Sequence, residues 1–155
     1  RVKPKVRLLY TGGHADNPEF FDLLQQNDAH VVSDNTGFGT RAADVLIRED
    51  GEPLEAIIDY YFEEKPAATR QMGTQVERME RLLDLVKQYK ADGVVASRLY
   101  MCDLWAFEHF LMRKRLHENN VPFLELEVDY TPEGQGQIKT RVQAFVESLA
   151  DRQTA

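Results

Sequence analysis

The chain has 155 residues, enough for one domain with a packed core. Its 43% hydrophobic content, with Pro and Gly not in excess, excludes disorder except at the ends, Arg1–Lys5 and Asp151–Ala155. A formal charge of −7 argues against general nucleic-acid or anionic-membrane binding, and no run nears the ~18 apolar residues of a bilayer span.

Val6–Tyr10 reads as a short, mostly apolar strand ending in Thr11-Gly12-Gly13-His14. Asn17-Pro18 then supplies an N-cap and a first-position proline for a helix to Gln26, with Phe20, Phe21, Leu23 and Leu24 on one face. The paired glycines either admit a ligand close to the backbone or only fit a tight turn. The dinucleotide fingerprint Gly-x-Gly-x-x-Gly is not present here. Ala29–Ser33 is a second strand, followed by the polar loop Asp34-Asn35-Thr36-Gly37-Phe38-Gly39-Thr40-Arg41. That loop either cradles an anion with Arg41 supplying charge, or simply connects, with Thr40 capping a short helix.

Pro53–Glu63 has Leu54, Ile57, Ile58, Tyr61 and Phe62 at helical spacing, and Lys65-Pro66 ends it. Met72–Lys90 is the longest helical pattern. Met72, Val76, Met79, Leu82, Leu83 and Val86 form the expected core stripe; Glu77, Arg78, Glu80, Arg81 and Asp84 form the expected solvated face. Gly93–Ser97 is a third strand, and Arg98–Asp103 a loop holding the single cysteine, Cys102. The next helix is expected to be capped by Asp103 and to bury Leu104, Phe107, Phe110, Leu111 and Leu116, leaving Trp105, Glu108 and His109 off that line. Pro122–Val128 alternates as a half-covered edge strand, with Leu124, Leu126 and Val128 on one face and Phe123, Glu125, Glu127 and Asp129 on the other. That acidic face is expected to meet solvent. Thr131–Gly134 is a loop, and Gln135–Leu149 the closing helix.

Alternating strands and helices predict an α/β fold: a three-layer, flavodoxin-like or Rossmann-like domain with a four-stranded parallel sheet in the order 2-1-3-4. The whole of 1–155 reads as one such domain. The chain opens at Arg1 rather than Met, already running into a strand, which suggests a piece of a longer protein. One cysteine excludes an internal disulfide framework and, with no visible signal peptide, points to the cytoplasm.

In an open α/β sheet, ligands gather at the carboxyl ends of the strands, where Cys102 falls. Three readings of it compete. It is a buried structural cysteine; or a nucleophile, favoured by the following helix amino terminus and served by His14, His30, His109 or His117, of which His14 is best placed; or a metal or cluster ligand. One cysteine closes no iron–sulfur site, so the last reading requires further ligands from elsewhere.

Asp92-Gly93-Val94-Val95, Tyr100-Met101-Cys102-Asp103, Val121–Tyr130 and Gly136–Glu147, the last carrying Gln-x-x-Thr-Arg-x-x-Ala-Phe, together resemble the carboxyl-terminal domain of the 2-hydroxyacyl-CoA dehydratase and benzoyl-CoA reductase subunit family. The resemblance covers nearly the whole chain, and Leu8–Gly12 and the Asp34–Arg41 loop fit it as well. It implies a heterodimer of two related subunits, with a 4Fe–4S cluster held by three cysteines; Cys102 matches one, and the other two lie in an amino-terminal part. The fourth iron is left open. An ATP-dependent iron–sulfur activator protein supplies single electrons. They convert a 2-hydroxyacyl-CoA thioester into a ketyl radical anion that expels the 2-hydroxyl, or they reduce an aryl-CoA ring. The resemblance leaves room for FMN in the full enzyme. Departures fall at Lys65 and Gly37, where many members carry cysteine; neither position is expected to be an essential ligand. The isolated piece is expected to fold but to hold no cluster and show no activity. The other reading is a non-catalytic flavodoxin-like binding or assembly module in which Cys102 is structural.

Overall fold

The computed structural model describes residues 5–13, 17–26, 28–129 and 135–154. Along the chain run β1 (Val6–Gly12), α1 (Pro18–Leu24), β2 (Ala29–Asn35), α2 (Thr40–Ala43), α3 (Pro53–Asp59), α4 (Gln75–Gln88), β3 (Gly93–Leu99), α5 (Asp103–Glu118), β4 (Phe123–Val128) and α6 (Gln135–Thr154). The strands form one parallel sheet in the order β2-β1-β3-β4, as the alternating pattern predicts. The α6 helix continues through Thr154, so the expected frayed end at Asp151 is helical instead. Among the described residues no helix is long and apolar enough to cross a membrane.

The pleat sends alternate side chains of the central strands into two cores. Leu8, Tyr10, Val95 and Leu126 pack with Leu24 of α1 and Val142, Val146 and Leu149 of α6. Leu9, Val94 and Ala96 pack on the opposite face with Met79, Leu82, Leu83 and Val86 of α4 and Met112 and Leu116 of α5. Full burial of each such aliphatic side chain is worth about 1.5–3 kcal/mol, so both faces hold the sheet. At α1 the Asn17 side chain accepts from the Glu19 N–H at 2.9 Å and Pro18 opens the helix, as read from sequence.

Three helix faces differ from expectation. In α5 the inward face is Glu108, His109, Met112 and Leu116, with Trp105 packed at its edge, whereas Phe107 (76% exposed) and Phe110 (62%) face outward with Leu104. The cause is polar pairing inside: Glu108 meets Arg78 of α4, and His109 Nδ1 lies 3.4 Å from Glu125 Oε1. In α4 the helix starts at Gln75 rather than Met72, Met72 and Val76 are exposed, and Arg78 is buried. In α3 only Ala56 is buried, joined by Tyr60 just beyond; Leu54, Ile57, Ile58, Tyr61 and Phe62 remain exposed. There the helix widens over Tyr60–Glu64, with the Lys65 N–H donating to the Tyr60 carbonyl at 2.7 Å.

The acidic face of β4 meets arginine as well as water: Glu127 and Asp129 are exposed, as expected, while Glu125 is half-buried. Glu125 pairs with Arg113 and lies near Arg98, and Glu127 pairs with Arg98. Burial alone would raise the Glu125 carboxyl; Arg113 and His109 outweigh it and bring it below the ordinary carboxylate value. Burial likewise pulls His109 below the ordinary imidazole value despite Glu125, which favours its neutral form.

Candidate functional site

The site region is the rim formed by the carboxyl ends of β1, β2 and β3, where the connections from β1 and β3 leave the sheet. At β1, Gly12 adopts φ +141°, and a Cβ there would lie 2.2 Å from the Ser97 carbonyl oxygen. The Gly13 N–H donates to that carbonyl at 3.1 Å. Gly12 therefore serves a close strand-to-strand approach, the structural one of its two readings. His14 lies outside the described residues, as does the Thr131–Gly134 loop.

The tip of β2 closes on itself. Asp34, expected in the loop, is still in the strand, and its carboxylate accepts from the Thr36 N–H (2.9 Å), the Thr36 hydroxyl (2.6 Å), the Thr40 N–H (3.2 Å) and the Thr40 hydroxyl (2.7 Å). A Cβ on Gly39 would meet Asp34 Oδ1 at 2.0 Å, so glycine makes room for this arrangement. Burial raises the Asp34 carboxyl, but the four hydrogen bonds outweigh it and hold it below its ordinary value. The anion cradle expected from the loop is thus filled by the chain's own carboxylate. Arg41 instead lines a small interior cavity. Burial and the nearby Arg81 and Arg78 charges pull its guanidinium below the ordinary value, with Glu108 opposing.

The tip of β3 is built differently. The Tyr100 N–H donates to the Val128 carbonyl at 2.9 Å, tying the loop to the end of β4. Met101 takes φ +62°, the left-handed region that costs a bulky residue about 1–2 kcal/mol. Cys102, rather than the expected Asp103, is the N-cap of α5, and its side chain makes no capping hydrogen bond. Its N–H donates to the Leu99 carbonyl at 3.1 Å, and its carbonyl accepts from the Ala106 N–H at 3.0 Å. The thiol is free and partly exposed. Among the described residues no hydrogen bond engages its sulfur, and no group of three or more His, Cys, Asp or Glu side chains could hold a metal ion. Tyr100, Met101 and Leu104 flank it with exposed apolar surface, while Trp105 turns inward, its ring 6.0 Å from that of His109. His30 sits on β2, His109 is buried and His117 lies in the last turn of α5. The donor set therefore fits one ligand of a cluster and no more.

Sequence reading missed the buried polar cluster between α4 and α5. Arg78 Nε and Nη2 donate to the two oxygens of Glu108 at 2.7 and 2.9 Å, while Nη1 reaches the Ala68 and Gln71 carbonyls at 3.2 and 3.1 Å. The signal was present: Trp105, Glu108, His109, Met112 and Leu116 also recur at helical spacing, as a second stripe competing with Leu104, Phe107 and Phe110. At the positions that depart from the family pattern, Lys65 holds its ammonium 4.7 Å from the Tyr61 ring centre, and Gly37 lies against Arg41, 3.0 Å from its Nη2 were a Cβ present.

Residues 1–149 match the sequence profile described as 2-hydroxyglutaryl-CoA dehydratase, D-component. The chain is 29% identical over 96% of its length to an Escherichia coli protein, YjiM, named provisionally as a dehydratase subunit. It is 25% identical over 96% of its length to the (R)-phenyllactyl-CoA dehydratase beta subunit of Clostridium sporogenes. It is 28% identical over 92% of its length to the lactoyl-CoA dehydratase subunit beta of Anaerotignum propionicum. It spans 39%, 40% and 38% of these three relatives. A profile matched over all four strands and into the closing helix shows that the chain belongs to the 2-hydroxyglutaryl-CoA dehydratase, D-component, family.

Proposed function

We propose that this chain is the carboxyl-terminal part of a subunit of a 2-hydroxyacyl-CoA dehydratase, in which Cys102 is one thiolate ligand of a 4Fe–4S cluster completed by cysteines outside residues 1–155. The observation that carries the reading is the position of Cys102 within the family match: a free, partly exposed thiol at a strand tip, at the amino end of a 16-residue helix. The names of the relatives, two of them beta subunits acting on 2-hydroxyacyl-CoA thioesters, favour the dehydratase branch over aryl-CoA reduction.

A cluster bound there supplies single low-potential electrons to a CoA thioester. This chain's own part is to position and insulate. The amino terminus of α5 favours negative charge at Cys102. The uncapped N–H groups of the first turn of α5 are available to sulfur, which tunes an iron–sulfur site. The left-handed Met101 and the Tyr100–Val128 bond fix the loop, so the ligand is held in place before assembly. Exposed Tyr100, Met101, Leu104, Phe107 and Phe110 form apolar surface that the rest of the subunit, or a homologous second subunit, covers; that cover keeps water from the site. An ATP-dependent activator protein completes the assembly, which works in the cytoplasm. Any FMN of the full enzyme is held by its other parts.

Substituting Cys102→Ser in the complete subunit is expected to lose iron and turnover together. Normal iron content in that variant rejects the ligand role. Rapid thiol labelling of apo-protein under native conditions is the companion test, since a structural core cysteine labels only on unfolding.

A further inference from the structure

The helix α3 and the widened turn that follows it present their apolar side outward. Leu54, Ile57, Ile58 and Tyr61 recur at helical spacing, with Phe62 beside them; all five are exposed, Leu54 at 62% and Phe62 at 78%. The inward side is narrow. Only Ala56 and Tyr60 are buried there; the Tyr60 hydroxyl donates to the Ala42 carbonyl at 3.0 Å, and Arg48 pairs with Asp59. A surface helix ordinarily packs its apolar face and wets its polar one, and this helix does the reverse. Each half-exposed aromatic shows on the order of 100 Å². With the aliphatic side chains the patch reaches the few hundred Å² that mark an interaction site. Its surroundings are acidic. Glu49, Asp50, Glu55, Glu63 and Glu64 are exposed, whereas the nearby cations are already engaged, Arg48 by Asp59 and Lys65 by the Tyr61 ring.

We infer that this face docks the homologous second subunit, and that the surface it receives is apolar at its centre and bordered by lysine or arginine. The inference rests on the proposed reading of the chain as one of two related subunits. Two occupants compete for the face: that second subunit, and the rest of this one. The Cys102 rim belongs to the rest of this subunit, because the cysteines that complete its cluster have to converge there. The α3 face lies elsewhere. Helix α3 is tied to α2, which packs on β2, whereas α5 packs on β3 and β4 at the other side of the sheet. A standard interface takes ~800 Å² from each partner, with an apolar centre and a polar rim. Here α3 supplies the centre and its flanking carboxylates the rim, and their charge selects a basic border opposite.

The test uses the full-length subunit co-expressed with its related second subunit. Association is measured by sedimentation, and the free subunit is followed by thermal unfolding. Ile58→Gln combined with Phe62→Gln removes the apolar centre without adding charge. It is expected to weaken association about tenfold or more, while the free subunit keeps its Tm because both side chains are already exposed. Glu55→Lys combined with Glu63→Lys is expected to weaken association several-fold at low salt and less at high salt. Association unchanged in the Ile58→Gln, Phe62→Gln variant overturns the inference. So does a free subunit that loses its fold on that change, which marks the face as covered within its own chain. A charge-reversed variant that binds more tightly, or a wild-type subunit that takes no second subunit, overturns it as well. Iron measured on the same samples keeps the two readings apart: a pair that weakens as expected yet carries no iron fails the Cys102 ligand role and leaves the docking face standing.

Discussion

The tips of β2 and β3 stand on the same rim of the sheet and are finished in opposite ways. At β2, one carboxylate, Asp34, takes the backbone N–H groups and the hydroxyls of both Thr36 and Thr40. At β3, the N-cap position is held by a cysteine that caps nothing, behind a strained methionine and amid exposed apolar side chains. The first loop is optimised for its own stability. The second bonds its backbone to Val128, Leu99 and Ala106 but leaves the partly exposed Cys102 side chain without a capping bond.

That contrast can be broken or sharpened by substitution. The largest effect is expected behind the β3 loop, where α5 is anchored to α4. Glu108→Ala leaves the Arg78 charge buried without its partner and is expected to cost about 3–5 kcal/mol in chemical denaturation. A loss below ~1 kcal/mol would show that α5 does not depend on that pair. Asp34→Ala strips the β2 loop of its acceptor and is expected to cost about 2 kcal/mol.

The same carboxylate predicts a pH dependence. The folded state holds Asp34 below its ordinary value, so the unfolded chain binds more protons across that interval. Its contribution is present above about pH 4, the unfolded carboxylate value, and is lost as pH falls through the lower folded value. Asp34→Asn should remove that part of the acid limb of the stability curve; an unchanged limb would contradict the assignment.

A smaller effect of opposite sign is expected at β3. Serine is a good N-cap and cysteine here makes no capping bond, so Cys102→Ser should stabilise the apo-chain, by up to about 1 kcal/mol, even as it removes the proposed ligand. A clear destabilisation would instead mark Cys102 as a packing residue. The smallest effect is expected on the outer face of α5: Phe107→Gln should stay within about 0.5 kcal/mol, in spite of the lost aromatic ring, because that side chain is 76% exposed among the described residues.

From sequence alone came the order of elements, the parallel 2-1-3-4 sheet, the Asn17-Pro18 helix start and the placing of Cys102 at a strand tip. All of these follow from local rules, namely strand and helix periodicity, capping chemistry and crossover handedness, which act over a few residues and are written in the chain. The inward face of α5 and the burial of Arg78 in α4 were decided only in three dimensions, whereas Met79, Leu82, Leu83 and Val86 of the expected α4 stripe do face the core. The α5 helix carries two candidate stripes, and periodicity cannot weigh an Arg78–Glu108 pair that forms between residues thirty positions apart. The same holds for Asp34 closing its own loop. Burial of a charge depends on which partner the fold brings to it, and that partner is a property of the packed structure rather than of any segment.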